Sequence, residues 1–257
     1  MSADGFAPRT RSESSGIFGA EGYTSGMTII GAILAALAAA SLLLSGPGTR
    51  MGWWDFKTGL LLFAGALVIG LLALAISGIA WLRTRPNRTA AVATIIGAVI
   101  VMVPMVQIAA ARGKPAIHDV STDLADPPRF SAVLPLRAGF PNKVTDRADD
   151  ATARAQRTAY PDMVTLELPL APDAAFTKAV ESAKKMEWEI VSLRPADGVI
   201  EATATTAWFG FHDDVVVRIR PVGSRSRIDV RSVSRVGRGD AGKNADRIRR
   251  YLRLLAS

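Results

Sequence analysis

No charged residue lies between Glu21 and Arg50, between Lys57 and Arg83, or between Arg88 and Arg112. A helix rises about 1.5 Å per residue and the hydrocarbon core of a bilayer is about 30 Å thick, so about 20 such residues cross it. The apolar runs at 27–44, 59–82 and 90–111 therefore read as three membrane spans. Backbone polar groups in hydrocarbon must pair internally, which makes each span a helix. Small residues recur four apart, as Gly31 and Ala35, Ala66 and Gly70, and Ala93 and Gly97. Such pairs permit close helix approach, within the chain or in a homo- or hetero-oligomer. Trp53, Trp54 and Trp81 sit where interfacial aromatics belong.

The runs hold no Asp, Glu, Lys, Arg or His, and only Pro104 and Gln107 stand out in the third. Proton relays, voltage sensors and most ion pathways need ionisable groups at that depth, so the spans read as an anchor. Residues 1–26, rich in Ser, Gly and Ala, are expected to be disordered. They do not read as a secretory signal, because the apolar run begins only at Met27 and two more follow. The loop Arg83–Arg88 carries three arginines and no acid. By the positive-inside rule it is cytoplasmic, which puts residues 112–257 outside, in the periplasm of a bacterial inner-membrane protein.

Cysteine is absent, which excludes disulfides and thiolate chemistry. The net charge of +8 is uneven: twelve basic residues between Arg218 and Arg253 face only Asp229, Asp240 and Asp246. A basic end implies an anionic partner. Tethering to a bilayer points to anionic lipid or an envelope polymer rather than nucleic acid. Only residues 112–117 join the third span to the domain, and at about 3.3 Å each they reach about 20 Å.

Within 112–257, residues 112–162 read as an irregular, Pro- and Asp-rich lead-in with a short helix near 149–157. Alternation and helical spacing then give a strand at 164–168, a helix at 173–186 and strands at 188–193 and 199–206 around a turn at 195–198. Strands at 214–220 and 227–236 follow, then a last helix at 240–255 with Asp240 as its candidate cap. The expected fold class is α+β: three transmembrane helices, then an antiparallel sheet with flanking helices, helix-grip-like in pattern.

Alternation directs Val215, Val217, Ile219, Ile228 and Val230 to one side of that sheet. Arg218, Arg220, Arg227, Arg231 and Arg235 go to the other with Asp229, and Arg238 follows. This outward face is either a solvated surface or an anion-binding one. Lys243, Arg247 and Arg250 add a stripe on the last helix. Trp208, Phe209 and Phe211 at a hairpin either belong to the core, cap a groove or meet the membrane interface.

Three segments carry a family resemblance: 118–123 with Pro127-Pro128-Arg129-Phe130, then 201–214, and 229–238 continuing to Asn244 and Ile248. Together they resemble the bacterial and plastid family known as domain of unknown function 1499, over about residues 115–255. The resemblance implies no activity, and relatives with export signals imply an extracytoplasmic domain. Many relatives carry a Pro-Asn-Cys stretch before the domain. This chain has three apolar runs there instead.

No G-x-S-x-G, H-E-x-x-H or P-loop spacing is present, and no catalytic residue, metal ligand or cofactor is assigned. His212 beside Asp213 and Asp214 invites a metal reading, but neighbours on a strand point to opposite faces. Relatives carry Lys or Arg at the His212 position. The leading expectation is a non-enzymatic domain binding an anionic or amphipathic partner. The alternative is a hydrolase assembled from His118, Asp123, Asp213 and Arg235.

Overall fold

The computed structural model describes residues 15–257, in two compact units that divide after Gln107. Residues 1–14 of the segment expected to be disordered lie outside the described residues. Helix α1 (Ser15–Arg50) starts well before the apolar run at Met27. It is followed by α2 (Phe56–Arg83) and α3 (Arg88–Ala111). All three are long and apolar enough to cross a membrane.

Local chemistry fixes where these helices begin. The Asp55 carboxylate accepts from Lys57 N and Thr58 N, 2.7 and 3.0 Å away, and caps α2. Asn87 accepts from Ala90 N at the start of α3 and donates to Thr28 Oγ1 of α1, both at 3.0 Å. The small residues are spent on packing inside the unit. A Cβ on Gly31 would lie 2.9 Å from that of Ser77, and one on Gly97 would lie 3.0 Å from Leu74 N. Large apolar side chains such as Leu61 and Ile95 face outward, as lipid-facing chains do.

The second unit is built on a six-stranded antiparallel sheet. Its strands are β1 (Asp119–Ser121), β2 (Leu166–Leu168), β3 (Glu189–Arg194), β4 (Val199–Thr205), β5 (His212–Val222) and β6 (Arg225–Ser234). The order is β1-β6-β5-β4-β3, and β2 pairs with β6 beside β1, so two short strands share one edge. Helices α4 (Asp150–Ala159), α5 (Pro172–Lys185) and α6 (Lys243–Ala256) complete the unit. At the β3–β4 turn Gly198 has φ +66°, and a Cβ there would sit 2.2 Å from Ile219 O, so only glycine fits.

One sheet face carries Ile200, Val215, Val217, Ile219, Ile228 and Val230 against alanines of α5 and Ala245, Ile248, Tyr251 and Leu255 of α6. Trp188 stacks on Tyr251 with centroids 4.7 Å apart, and the Tyr251 hydroxyl donates to Ala179 O. The opposite face is not open to water. Phe130, Val133 and Val144 of the lead-in pack on Val216 and Val233, so residues 122–149 form a second covering layer. The lead-in, expected to be irregular apart from the short helix near 149–157, also contributes β1, whose backbone pairs with 231–233 of β6.

Candidate functional site

The register places the arginines on the face that alternation assigns, with Val216 opposite Arg231 and Arg218 opposite Asp229. What differs is their exposure, because the lead-in lies over them. Arg231 is 1% exposed. It grips both oxygens of Asp119 through Nε (3.0 Å) and Nη2 (2.6 Å) and donates to Thr145 O and Asp146 O. Arg235 is buried too, and grips both oxygens of Asp214 at 3.0 and 2.8 Å. Arg137 shares that carboxylate and also donates to Val233 O and Ser234 O. The outward, solvated placement of Arg231 and Arg235 is thus corrected: alternation selects a side of the strand, and the lead-in covers that side.

Arg218, Arg220 and Arg227 gather at the other end of the face. Asp229, fully buried, lies 3.0 Å from Arg218, 3.1 Å from Arg220 and 3.6 Å from Arg227. Asp123 lies 3.0 Å from Arg227, and Asp126 is held by Arg218 and Arg220 at 3.1 and 3.0 Å. Arg218 beside it draws the exposed Asp126 carboxyl below its usual range. Three cations therefore meet three carboxylates, two of which come from the lead-in. Arg238 is exposed in the turn after β6, apart from both groups.

Glu201 of β4 faces the same layer. It accepts from the Ser131 hydroxyl and from the amides of Ser131, Ala132 and Val133, and pairs with Arg194 at 3.0 Å. Burial alone would raise its pKa, but the hydrogen bonds led by Ser131 outweigh it and hold the carboxyl below its ordinary value. Arg137 is not singled out in the sequence, and Asp119 and Glu201 enter it within the family segments 118–123 and 201–214 without these pairings. Apart from Arg194, which meets Glu201 across the β3–β4 hairpin, the partners named lie about 70 to 110 positions away, where no local spacing announces them.

Trp208, Phe209 and Phe211 lie in the loop between β4 and β5. Trp208 is exposed, and Phe209 and Phe211 are half-buried and stacked with centroids 5.1 Å apart. Asp240 accepts from Gly242 N and Asn244 N, 2.8 and 2.6 Å away, but the cap position of α6 is Gly242 and the helix starts at Lys243, so Asp240 serves its first turn from outside the cap rather than as the cap expected.

The four residues of the hydrolase alternative are not brought together. Asp213 turns toward α6 and pairs with Arg247, whereas Arg235 lies beneath the lead-in on the opposite face. Asp123 belongs to the arginine group at the far end, and His118 joins β1 to β6 through its backbone carbonyl. His212 Nδ1 lies 3.0 Å from Thr205 Oγ1, and burial followed by the nearby Arg235 lowers its pKa. Asp213 and Asp214 go to opposite faces, each already paired with arginine, so the two carboxylates do not join His212 in one ligand set.

A family model described as a protein of unknown function (DUF1499) matches residues 119–255, which include every strand of the sheet. No curated protein matches the chain.

Proposed function

Because the chain belongs to the DUF1499 family, whose function is unknown, we propose a role from its own residues: a multi-pass inner-membrane protein whose periplasmic domain binds anionic lipid headgroups. One observation carries the reading. The sheet arginines are balanced by carboxylates from elsewhere in the chain, whereas Lys243, Arg250 and Arg253 of α6, with Arg238 before it, are exposed without an ion pair among the described residues. Their neighbours Arg247 and Arg249 are tied to Asp213, Asp162 and Asp246.

A basic residue near an anionic membrane surface gains about 1 kcal/mol, fading over about 8 Å in physiological salt. The chain would be reconstituted in neutral and in anionic nanodiscs and amide exchange followed along α6. Protection in anionic discs, lost at high salt and in Arg250→Glu/Arg253→Glu, is expected. Equal exchange in both lipids at low salt refutes the reading. Protection by a soluble polyphosphate but not by anionic lipid would identify an envelope polymer as the partner instead. A phosphatase fused after Ser257 tests the orientation, since activity requires an extracytoplasmic domain.

A further inference from the structure

Two guanidinium groups close on the single carboxylate of Asp214. The other arginines of the covered sheet face meet carboxylates in equal number: Arg231 meets Asp119, Arg194 meets Glu201, and Arg218, Arg220 and Arg227 share Asp123, Asp126 and Asp229. Arg235 in the same way neutralises Asp214, which is fully buried. Arg137 comes to that carboxylate from the lead-in, out of the short 3-10 turn Pro135–Arg137, and has no other acid. Its remaining acceptors are the carbonyls of Asn142, Val233 and Ser234, which take hydrogen bonds but carry no net charge. The group Arg137–Asp214–Arg235 therefore holds one positive charge in excess, on arginines only 4% and 6% exposed. A charge buried without its counter-charge is costly, and buried charges are ordinarily paired.

Two donors of this group are also unspent. Arg137 Nε is buried with no acceptor. Arg235 gives its Nε and Nη2 to Asp214 and Thr203, and its Nη1 has no partner among the described residues. The Phe140 ring lies 5.4 Å from the Arg235 guanidinium carbon, so apolar surface adjoins the open donor.

We propose that this centre binds the carboxylate of a small monovalent organic acid, held at Arg235 Nη1, as the missing counter-charge. One excess charge asks for one monovalent anion. A carboxylate is the group that the other guanidiniums of this face grip, and the planar fork of arginine fits it. So little of Arg137 and Arg235 is open that a polymer or a lipid headgroup would not reach them. The site is separate from the charged stripe of α6, and its occupancy does not depend on whether that stripe prefers anionic lipid.

The full chain in micelles of an uncharged detergent, free of anionic lipid, would be titrated with acetate in exchange for chloride at constant ionic strength. His212 is a local gauge. Burial first and then the nearby Arg235 hold its pKa below the ordinary value, while Asp214, Glu189 and Asp213 act the other way. Acetate on Arg235 should raise that pKa to a plateau in an NMR titration of the imidazole, and Tm should climb with the logarithm of acetate concentration. Phe140→Glu would set a tethered carboxylate beside Arg235, so it should raise the His212 pKa without acetate and abolish the response to it. Equal behaviour in acetate and chloride overturns the proposal, since screening alone would explain it. A Tm gain that leaves the His212 titration in place also overturns it, because the acid would then sit elsewhere, as on the exposed cations of α6. An undiminished response in a folded Phe140→Glu does the same. Amide exchange of β5 and β6 verifies that fold, and the titration of the parent chain decides the matter if the variant does not fold.

Discussion

Replacing Arg231 with methionine separates a guanidinium that holds the fold from one that waits for a ligand. The side chain is 1% exposed, and its removal would leave the largely buried Asp119 carboxylate without its counter-charge and two carbonyls of the lead-in without a donor. Breaking a buried pair from one side costs about 3–5 kcal/mol. A domain of this size loses about 2–4 °C of Tm per kcal/mol, so the transition should fall by about 6–20 °C. Scanning calorimetry of the full chain in detergent micelles would read the shift, with amide exchange of β1 reporting whether the lead-in has come loose. Adding Asp119→Leu to Arg231→Met should recover much of the loss, because an apolar pair of similar volume avoids the stranded charge. An exposed arginine kept for binding would cost no more than about 0.5 kcal/mol. A shift that small in Arg231→Met would refute the reading of the buried pair.

Other parts of the domain make separate predictions. Glu201→Gln should destabilise it by about 1–3 kcal/mol, because an amide cannot accept all the donors that Ser131, Ala132, Val133 and Arg194 present, and chemical denaturation at pH 7 measures this. The folded pKa of Glu201 is lowered, so its contribution is present above the unfolded value of about 4.3 and is lost as pH falls through the folded one. An acid titration of stability should show that loss in the parent chain and less of it in Glu201→Gln. Gly198→Ala should cost more than about 1 kcal/mol, since both the positive φ and the nearby Ile219 carbonyl oppose a side chain, and a drop in Tm would register it. Tyr251→Phe should cost about 0.5–1.5 kcal/mol by losing one buried hydrogen bond while keeping its stack on Trp188.

Charge-free length and period determined much of this protein without help from the fold. Three apolar stretches long enough for a bilayer must be helices, and alternation in 214–220 and 227–236 assigned every arginine to its correct side of the sheet. Asp240 was legible as a residue that serves the start of the last helix, because such contacts are local, although the cap position itself is Gly242. The fate of the second sheet face was not legible. Its cover, residues 122–149, has no periodicity and is held by contacts between positions far apart in the chain, such as Arg231 with Asp119, Arg137 with Asp214 and Glu201 with the 131–133 amides. A count of charge along the sequence therefore spread the basic excess over both the sheet and the last helix. The tertiary structure neutralised the sheet arginines with distant carboxylates and left Lys243, Arg250 and Arg253 of α6 exposed and, among the described residues, without an ion pair, because ion pairing follows distance in space and periodicity sees only neighbours in sequence.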